Sequence, residues 1–188
     1  MKYAAIRATT QTYVEEEWLA EQRERIVVTA LNSDAQSHFD RYWRNHPQRL
    51  VSFDWFGSIK KTLDNSHPRR LEFAFWKNKI LCGLVVGRIS KGGQWLSVTH
   101  IEGYPDASHP LKGKIIALAL FAADVYSVAT KSEARGFQPR VRLLDPVPQV
   151  IAAYQNLGYS DVVVTKKLRY MTKPYIAGVH HEDTTRKS

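Results

Sequence analysis

The sequence predicts one α/β domain of the α+β kind, with a mixed, mostly antiparallel central sheet of about six or seven strands flanked by helices. Three observations lead to this fold class. Residues 95–124 read as an apolar strand, a Pro-bounded turn and a long apolar helix; a hairpin precedes them, and a second strand and a short helix follow. Residues 1–174 are expected to form the domain, and the polar residues 175–188 a tail.

The strand and helix within residues 95–124 are the centre of the predicted fold. The strand has a period of two, with one face made of Trp95, Ser97, Thr99 and Ile101 and the other of Leu96, Val98, His100 and Glu102. It is expected to end near Tyr104-Pro105. From Leu111 onward, apolar side chains cover almost the whole helical circumference, so this helix is predicted to lie buried in the middle of the domain.

The turn before this helix has the composition of an anion site. Lys112, Gly113 and Lys114 are predicted to form the first helical turn. They would place two ammonium groups and a residue without a side chain at the positive end of the helix dipole, where backbone N–H groups lack partners. Alternatively, the glycine only eases the turn and both lysines are solvated.

The N-terminal region predicts one short strand followed by a helix. Residues 3–8 fit the strand, and Thr12 with Glu15 three residues later is the pattern of a capping box. The apolar face of this helix is expected to continue through Ile26, Val27 and Leu31.

A second helix is expected after Asn32, whose side chain is suited to an N-cap, and it should end at His46-Pro47. Residues 53–63 predict a further short helix rich in aromatic side chains. Two of these, Trp55 and Phe56, are candidates for a pocket wall, with core packing as the alternative.

Residues 71–76 and 80–89 are β-rich runs joined by Lys77-Asn78-Lys79, and they predict a hairpin that feeds the strand at Trp95. The central helix should extend to about Lys131. Gly136 and Pro139 then precede the next strand.

That next strand, residues 140–144, is stopped by Asp145-Pro146, and a short helix follows through Gln155 to a terminator at Gly158. Residues 159–172 alternate as one long strand or two short ones.

The composition excludes several classes of protein. A chain of 188 residues with 44% hydrophobic content can bury one core but is too short for two comfortable domains. Its one cysteine, Cys82, cannot form an internal disulfide and lies in an apolar run, where a thiol is normally inert. No metal site is expected without a cysteine pair or a helical His-x-x-x-His. Because no segment has the apolar length of a membrane span or a secretory signal, a cytoplasmic protein without membrane contacts is expected.

The formal net charge of +9 is concentrated in the later part of the chain, where residues 61–188 carry 19 basic and 10 acidic side chains. A polyanionic ligand, a nucleic acid or an acidic partner would each account for such a surplus. Because the basic residues form no long run, the sequence indicates a diffuse field and not a basic arm.

The order of these elements, ending in residues 153–159 with the letters AYQNLGY, strongly resembles the GNAT superfamily of acyl-CoA-dependent N-acyltransferases. The resemblance implies transfer of an acyl group, normally acetyl from acetyl-CoA, to an amine acceptor. It implies that the turn amides hold the coenzyme pyrophosphate, here at Lys112, Gly113, Lys114, Ile115, Ile116 and Ala117. Ile115 stands where the family motif has a glycine, which is a departure from the pattern.

The resemblance also implies catalytic roles for three side chains. Tyr154 matches the frequent acid tyrosine, which protonates the leaving thiolate. Glu102, at the end of the central strand, corresponds to a frequent general-base glutamate, and His100 could accept the proton instead. Core packing is the alternative for Tyr154, and a solvated strand edge for the other two.

A second function remains open on the sequence alone, together with the oligomeric state, for which a homodimer is one option. In that reading a GNAT-like domain has lost coenzyme binding and uses its basic surface for nucleic acid. The net charge and Ile115 favour it, whereas the intact block around Tyr154 and the lack of a basic cluster with interleaved aromatic residues weigh against it.

Overall fold

A computed structural model of the chain describes residues 2–131 and 139–173. These residues form a seven-stranded sheet in the order β1-β2-β3-β4-β5-β7-β6. Its strands are β1 (Val27–Thr29), β2 (Arg70–Lys77), β3 (Ile80–Ile89), β4 (Trp95–Gly103), β5 (Arg140–Leu144), β6 (Val163–Val164) and β7 (Arg169–Thr172). Only the β4–β5 pair among them is parallel. The predicted fold class, a mixed and mostly antiparallel sheet with flanking helices, is confirmed.

The helices of the described residues are α1 (Lys2–Gln22), α2 (Ser33–Tyr42), α3 (Lys60–Ser66), α4 (Ile115–Ala129) and α5 (Ile151–Asn156). A π-helical turn, Trp55–Ile59, leads into α3, and a 3-10 turn, Pro148–Val150, leads into α5. No helix within the described residues combines the length and the apolar character needed to cross a membrane.

The predicted strand at residues 3–8 is wrong, because these residues belong to α1. Thr10, Val14 and Trp18 are buried at a spacing of four, so the first helix has a buried stripe with a helical period. Thr12 is inside this helix, with its Oγ1 donating to the Ala8 carbonyl, and does not cap it. Glu15 instead accepts the backbone N–H of Val28 at 2.6 Å and ties α1 to β1.

The predicted continuation of this helix beyond residue 22 is also wrong. Arg23 adopts a positive φ of 54°, which ends α1. Val27–Thr29 then pairs antiparallel with Ala74, Phe75 and Trp76 as edge strand β1. Pairing with β2 supplies backbone partners that the local apolar pattern could not reveal.

The middle of the chain agrees with the predictions, except that α2 ends at Tyr42 and not at His46-Pro47. The Asn32 side chain accepts the Ala35 N–H at 3.0 Å and caps α2, and β2 and β3 form the antiparallel hairpin. Asn78 and Lys79 take positive φ at its turn. Trp55 is fully buried, so core packing is the better description of this side chain.

The later part of the chain also agrees in most respects. Gly158, with φ 85°, follows α5, and two short strands, not one long one, come after it. The central helix is buried as predicted, but it begins at Ile115 and not at Leu111. Gly136 and the proposed tail, residues 175–188, lie outside the described residues.

The predicted faces of β4 are wrong beyond Val98, because a bulge interrupts the strand. Val86 of β3 pairs with His100 and the next residue, Gly87, pairs with Val98, so Thr99 is the extra residue. The alternation of side chains therefore changes at Thr99. Ile101 joins Leu96 and Val98 on the face toward α4, and His100 and Glu102 turn to the opposite face.

Two apolar clusters cover the two faces of the sheet. The larger one packs α1 and α4 against the sheet and includes Val14, Phe73, Leu96, Leu118 and Tyr126. The second packs α2 and the turn before α3 against β2 and β3, with Phe39, Trp43, Trp55 and Leu84 among its members. The bulge therefore turns Glu102 toward the aromatic cluster made by α2 and residues 53–56.

Candidate active site

The sheet opens between β4 and β5. Their parallel pairing runs only from Trp95 to Val98 on β4, although β4 continues to Gly103. The Tyr104 N–H bonds the Cys82 carbonyl on β3. Because neighbouring N–H groups of a strand point in opposite directions, those of Ile101 and Gly103 are directed to the open edge.

A cavity of about 390 Å³ lies at this opening. Four parts of the chain line it: the end of β4, the turn before α4, the start of α5 and the segment 48–51. The lining residues include Arg49, Leu50, Val51, Ile101, Glu102, Tyr104, His109, Lys112, Gly113, Ile115, Ile116, Val150 and Tyr154.

Tyr154 reaches this cavity from α5, the helix that ends before Gly158. Its side chain is 7% exposed, and its ring centroid lies 6.3 Å from that of Tyr159. Burial raises the pKa of Tyr154 to about 12. The hydroxyl therefore keeps its proton at neutral pH and can donate it in a hydrogen bond.

Glu102 is held by three donors at the other side of the cavity. Arg49 binds it in bidentate fashion, with Nε 2.6 Å from Oε1 and Nη2 3.0 Å from Oε2, and the Trp55 indole N–H donates to Oε2 at 2.5 Å. The side chains of Arg49 and Glu102 are only 9% and 5% exposed. Of the four lone-pair positions of a carboxylate, one on Oε1 is therefore free of these donors.

Arg49 also organises the segment in which it lies. Its Nη2 donates to the Phe53 carbonyl at 2.7 Å and its Nη1 to the Arg44 carbonyl at 3.4 Å. The guanidinium carbon lies 4.8 Å from the centre of the Phe39 ring. Because residues 47–54 form no helix or strand, these contacts hold Leu50 and Val51 against the cavity.

His100 lies beside this cavity but not among its lining residues. Its ring packs edge-on against Phe53 at 4.8 Å and Trp55 at 6.0 Å, and Nδ1 is 3.0 Å from the Thr99 hydroxyl. Burial lowers the pKa of His100, so its imidazole is neutral at pH 7.

The start of α4 differs from the predicted anion turn in one respect. Lys112, Gly113 and Lys114 precede the helix, and the N–H groups of Lys112 and Lys114 bond the carbonyls of His109 and Leu111. The first-turn amides, which have no carbonyl of a preceding turn, are those of Ile115, Ile116 and Ala117. Gly113, with φ 78°, allows the chain to enter the helix at this point.

The departure from the family motif at Ile115 is accommodated in the core. A Cβ added to Gly83 would lie 2.7 Å from Ile115 Cγ2, so the isoleucine occupies the space that a side chain on β3 would fill. Ile115 is 5% exposed. Its side chain packs on the sheet, which leaves its backbone N–H free to point along the helix axis.

The structure separates the two lysines of the turn. Lys112 lines the cavity, whereas the Lys114 ammonium lies 3.0 Å from Glu24, two residues after α1 ends. Glu24 also pairs with Lys77 at 2.5 Å. Burial opposes ionisation of Glu24, but hydrogen bonds from Lys77, Lys114 and Trp18 outweigh it and lower the pKa of this carboxyl.

Six of the predicted site residues therefore meet at one cavity: Glu102, Lys112, Gly113, Ile115, Ile116 and Tyr154. His100, Lys114 and Ala117 are not among the residues that line it. Cys82, for which no chemical role was expected, is buried and has its pKa raised to about 11 by that burial.

Arg49 and His109 also line the cavity, although neither was predicted as a site residue. Arg49 lies 53 positions before Glu102, and no local pattern links the two. His109 lies in the loop before α4, where its Nδ1 accepts the Leu111 N–H at 3.3 Å. Burial, aided by Lys112, lowers the pKa of His109. Its loop position after a strand end was the only signal available in the sequence.

No protein-family model matches the chain, and no curated protein sequence matches it. Solved structures do match. The PaiA N-acetyltransferase of Thermoplasma acidophilum, in complex with coenzyme A, is 14% identical, with a TM-score of 0.51 over 81% of this chain and 100% of that chain. An acetyltransferase from Thermus thermophilus is 12% identical, with a TM-score of 0.51 over 80% of this chain and 97% of that one. These similarities and the strand order show that the chain has the fold of the GNAT acetyltransferases.

Proposed function

We propose that the chain is an N-acyltransferase that uses acetyl-CoA or a related acyl-CoA and transfers the acyl group to an amine. The observation that carries this proposal is the cavity where β4 leaves β5, because Tyr154, Glu102 and the turn before α4 all line it. A proton donor, a carboxylate that can accept a proton and a helix N-terminus that can bind phosphate suit acyl transfer from a coenzyme A thioester.

The residues at this opening fit two parts of coenzyme A, its pyrophosphate and its amide-containing arm. The first-turn amides of α4 and the Lys112 ammonium suit a pyrophosphate, because a helix N-terminus attracts anions. The N–H groups of Ile101 and Gly103 on the open edge of β4 suit the amide-containing arm of the coenzyme, which can pair with a strand. Bound there, the coenzyme would supply an activated thioester carbonyl.

Tyr154 is proposed to assist departure of the thiolate. Because its pKa is about 12 and that of an ordinary thiol is about 8.5, complete proton transfer to sulfur is unfavourable. The hydroxyl therefore acts chiefly as a hydrogen-bond donor to the developing charge. The N–H groups of the β4 edge could stabilise the oxyanion in the same way.

Glu102 is proposed as the group that takes the proton from the amine, through its free Oε1 position and a water molecule. The two donors of Arg49 and the indole of Trp55 hold this carboxylate in place at the cavity. His100 is the other candidate, and it is neutral, but it packs against Phe53 and Trp55 and does not line the cavity.

Acetyl-CoA is expected to raise the melting temperature. At a hundred times the dissociation constant, the ligand contributes about 2.7 kcal/mol, which is roughly 5–10 °C for a chain of this length. Lys112→Gln should weaken binding on the order of 10-fold. Lys114→Gln is the matched control, since it removes the same charge two positions away but from a side chain paired with Glu24. No shift at millimolar acetyl-CoA would count against the proposed function.

The lining of the cavity also favours one class of amine. Its acceptor side contains Leu50, Val51, Tyr104 and Pro105, and the carboxylate of Glu102, which Arg49 already neutralises, is the only one among the described lining residues. A second ammonium on the acceptor would therefore find no free anion. An apolar amine with a single charge fits these walls best.

With acetyl-CoA present, 2-phenylethylamine should have a kcat/KM at least about 10-fold above that of ethanolamine, because only the former buries an apolar body. Spermidine should be no better than ethanolamine. Thiol release measures all three rates. Leu50→Asp, at a side chain that is 90% exposed, should raise kcat/KM for spermidine, whereas Leu19→Asp on α1 should leave it unchanged. A wild-type preference for spermidine would contradict this acceptor class.

A further inference from the structure

The strongest feature outside the cavity is a row of arginines and aromatic rings on one face of the sheet. Cross-strand pairs join Arg88 of β3 to Ser97 of β4, and Ser97 to Arg142 of β5. Trp95 pairs with Arg140 one step further along the same two strands. Because paired residues share a face, these side chains lie together, opposite the core residues Leu96 and Val141.

Tyr170 of β7 completes this surface, since it pairs with Leu144 and its ring centre lies 6.0 Å from the Arg142 guanidinium. We call the surface the arginine face, and it consists of Arg88, Trp95, Arg140, Arg142 and Tyr170. Arg88 and Arg140 are exposed, and the other three are half-buried. The second apolar cluster, which packs on the same side of the sheet, includes none of these five side chains.

The charge of the arginine face is not neutralised within the described residues. None of the ion pairs that these residues form includes Arg88, Arg140 or Arg142. Arg88 contacts His67 Nε2 at 3.0 Å, and burial together with this guanidinium lowers the pKa of His67, so the contact adds no charge of opposite sign. Like charges held this close repel each other, and an anion bound between them would offset that repulsion.

Planar groups alternate on this face. The guanidinium carbons of Arg140 and Arg142 lie 4.9 and 5.2 Å from the centre of the Trp95 ring. Arg142 is fixed further by donation from Nε to the Ser97 hydroxyl at 2.8 Å. Rings and guanidinium planes are the surfaces on which unpaired bases stack, and arginines bind the phosphates between them.

We infer that the arginine face is a binding site for single-stranded nucleic acid, distinct from the acyl-transfer cavity. Trp95 and Glu102 stand at opposite ends of β4, roughly 20 Å apart along the strand. An open sheet face with half-buried rings suits bases that are free to stack, and it offers no projecting helix or ribbon for the groove of a duplex. DNA and RNA single strands share this chemistry.

The test is fluorescence anisotropy with labelled oligo(dT) and oligo(rU) of about 12 nucleotides, at several salt concentrations. With three arginines neutralising phosphates, the plot of log affinity against log salt should have a slope of about −2. Arg140→Gln should make this slope shallower by about 0.7. Trp95→Ala should weaken binding on the order of 10-fold and leave the slope unchanged, because stacking releases no counterions.

The matched control is Arg41→Gln. Arg41 is also exposed and also lies over an aromatic ring, 5.2 Å from the centre of Tyr42, but on α2. The Arg41→Gln variant should have the same affinity for the oligonucleotides and the same salt slope as the wild type. Circular dichroism of each variant shows whether the fold is retained. The melting shift with acetyl-CoA shows whether the acyl-transfer proposal holds, independently of binding at the arginine face.

Three results would overturn the inference. Arg140→Gln could show the same slope as Arg41→Gln, which would place the bound phosphates elsewhere. A duplex of the same length could bind as tightly as the single strands. Trp95→Ala could bind as well as the wild type, which is the behaviour of a surface that exchanges any polyanion, including heparin or an acidic vesicle, without stacking. A preference for oligo(rU) over oligo(dT), or the reverse, would identify the source of the ligand within the proposed class.

Discussion

Tyr154→Phe is expected to lower the rate of acyl transfer on the order of 10²-fold while leaving the affinity for acetyl-CoA and the melting temperature nearly unchanged. Only the hydroxyl is removed, and the ring still packs beside Tyr159. The effect should be at the low end for acid catalysis, because a thiolate is already a fair leaving group and a hydroxyl with a pKa of about 12 donates a hydrogen bond more readily than a proton. Steady-state thiol release with a good amine acceptor measures the rate.

Tyr159→Phe is the matched control for this variant. Its hydroxyl is buried and forms no hydrogen bond within the described residues, and the ring does not line the cavity. Removal of that hydroxyl should leave the rate unchanged and stability equal or slightly higher, since an unpaired buried polar group is costly. Tyr154 is a packing residue if Tyr154→Phe turns over at the wild-type rate. The same conclusion follows if Tyr154→Phe loses stability while Tyr159→Phe does not.

Arg49→Met is expected to produce the largest loss of stability, about 3–5 kcal/mol in the free energy of unfolding. The variant leaves the carboxylate of Glu102 buried with only the Trp55 indole as a donor, and it releases the carbonyls of Arg44 and Phe53. Urea denaturation measures the loss. Because the segment 48–51 depends on these contacts, the affinity for amines should fall more than that for acetyl-CoA.

Arg44→Met provides the comparison. Arg44 also lies over Phe39, at 5.5 Å, but its partner Asp40 is 42% exposed, so the loss should be about 0–1 kcal/mol. The double variant Arg49→Met with Glu102→Leu should recover much of the stability, since the orphaned charge is gone. Equal losses in the two arginine variants would show that stacking on Phe39, and not the ion pair, accounts for the effect.

Those two arginines cannot be distinguished in the sequence. Both follow α2 within a few residues, and nothing in the local pattern distinguishes them. Arg49 becomes a buried partner only because the bulge at Thr99 turns Glu102 toward the aromatic cluster. Bulges depend on pairing with a neighbouring strand, so a period-of-two pattern read along one strand cannot show them.

The arginine face also depends on pairing between neighbouring strands. The sequence indicated a diffuse positive field, because its arginines are scattered over three strands. Cross-strand register then assembles Arg88, Arg140 and Arg142 around Trp95, and register is decided by pairing and burial of the opposite face. Basic residues that form no cluster along the chain can therefore form one across the sheet.

The sequence by itself determined the elements whose signals are local. The hairpin, the buried central helix, the Asn32 cap and the stop at Gly158 follow from periodicity and from the conformations that particular residues favour. Tertiary structure decided the rest: the helical state of residues 3–8, the edge strand β1, the separation of Lys112 from Lys114, and the meeting of Arg49 with Glu102. The physical reason is that burial and backbone pairing with distant segments outweigh local propensity, and those partners are set by the fold.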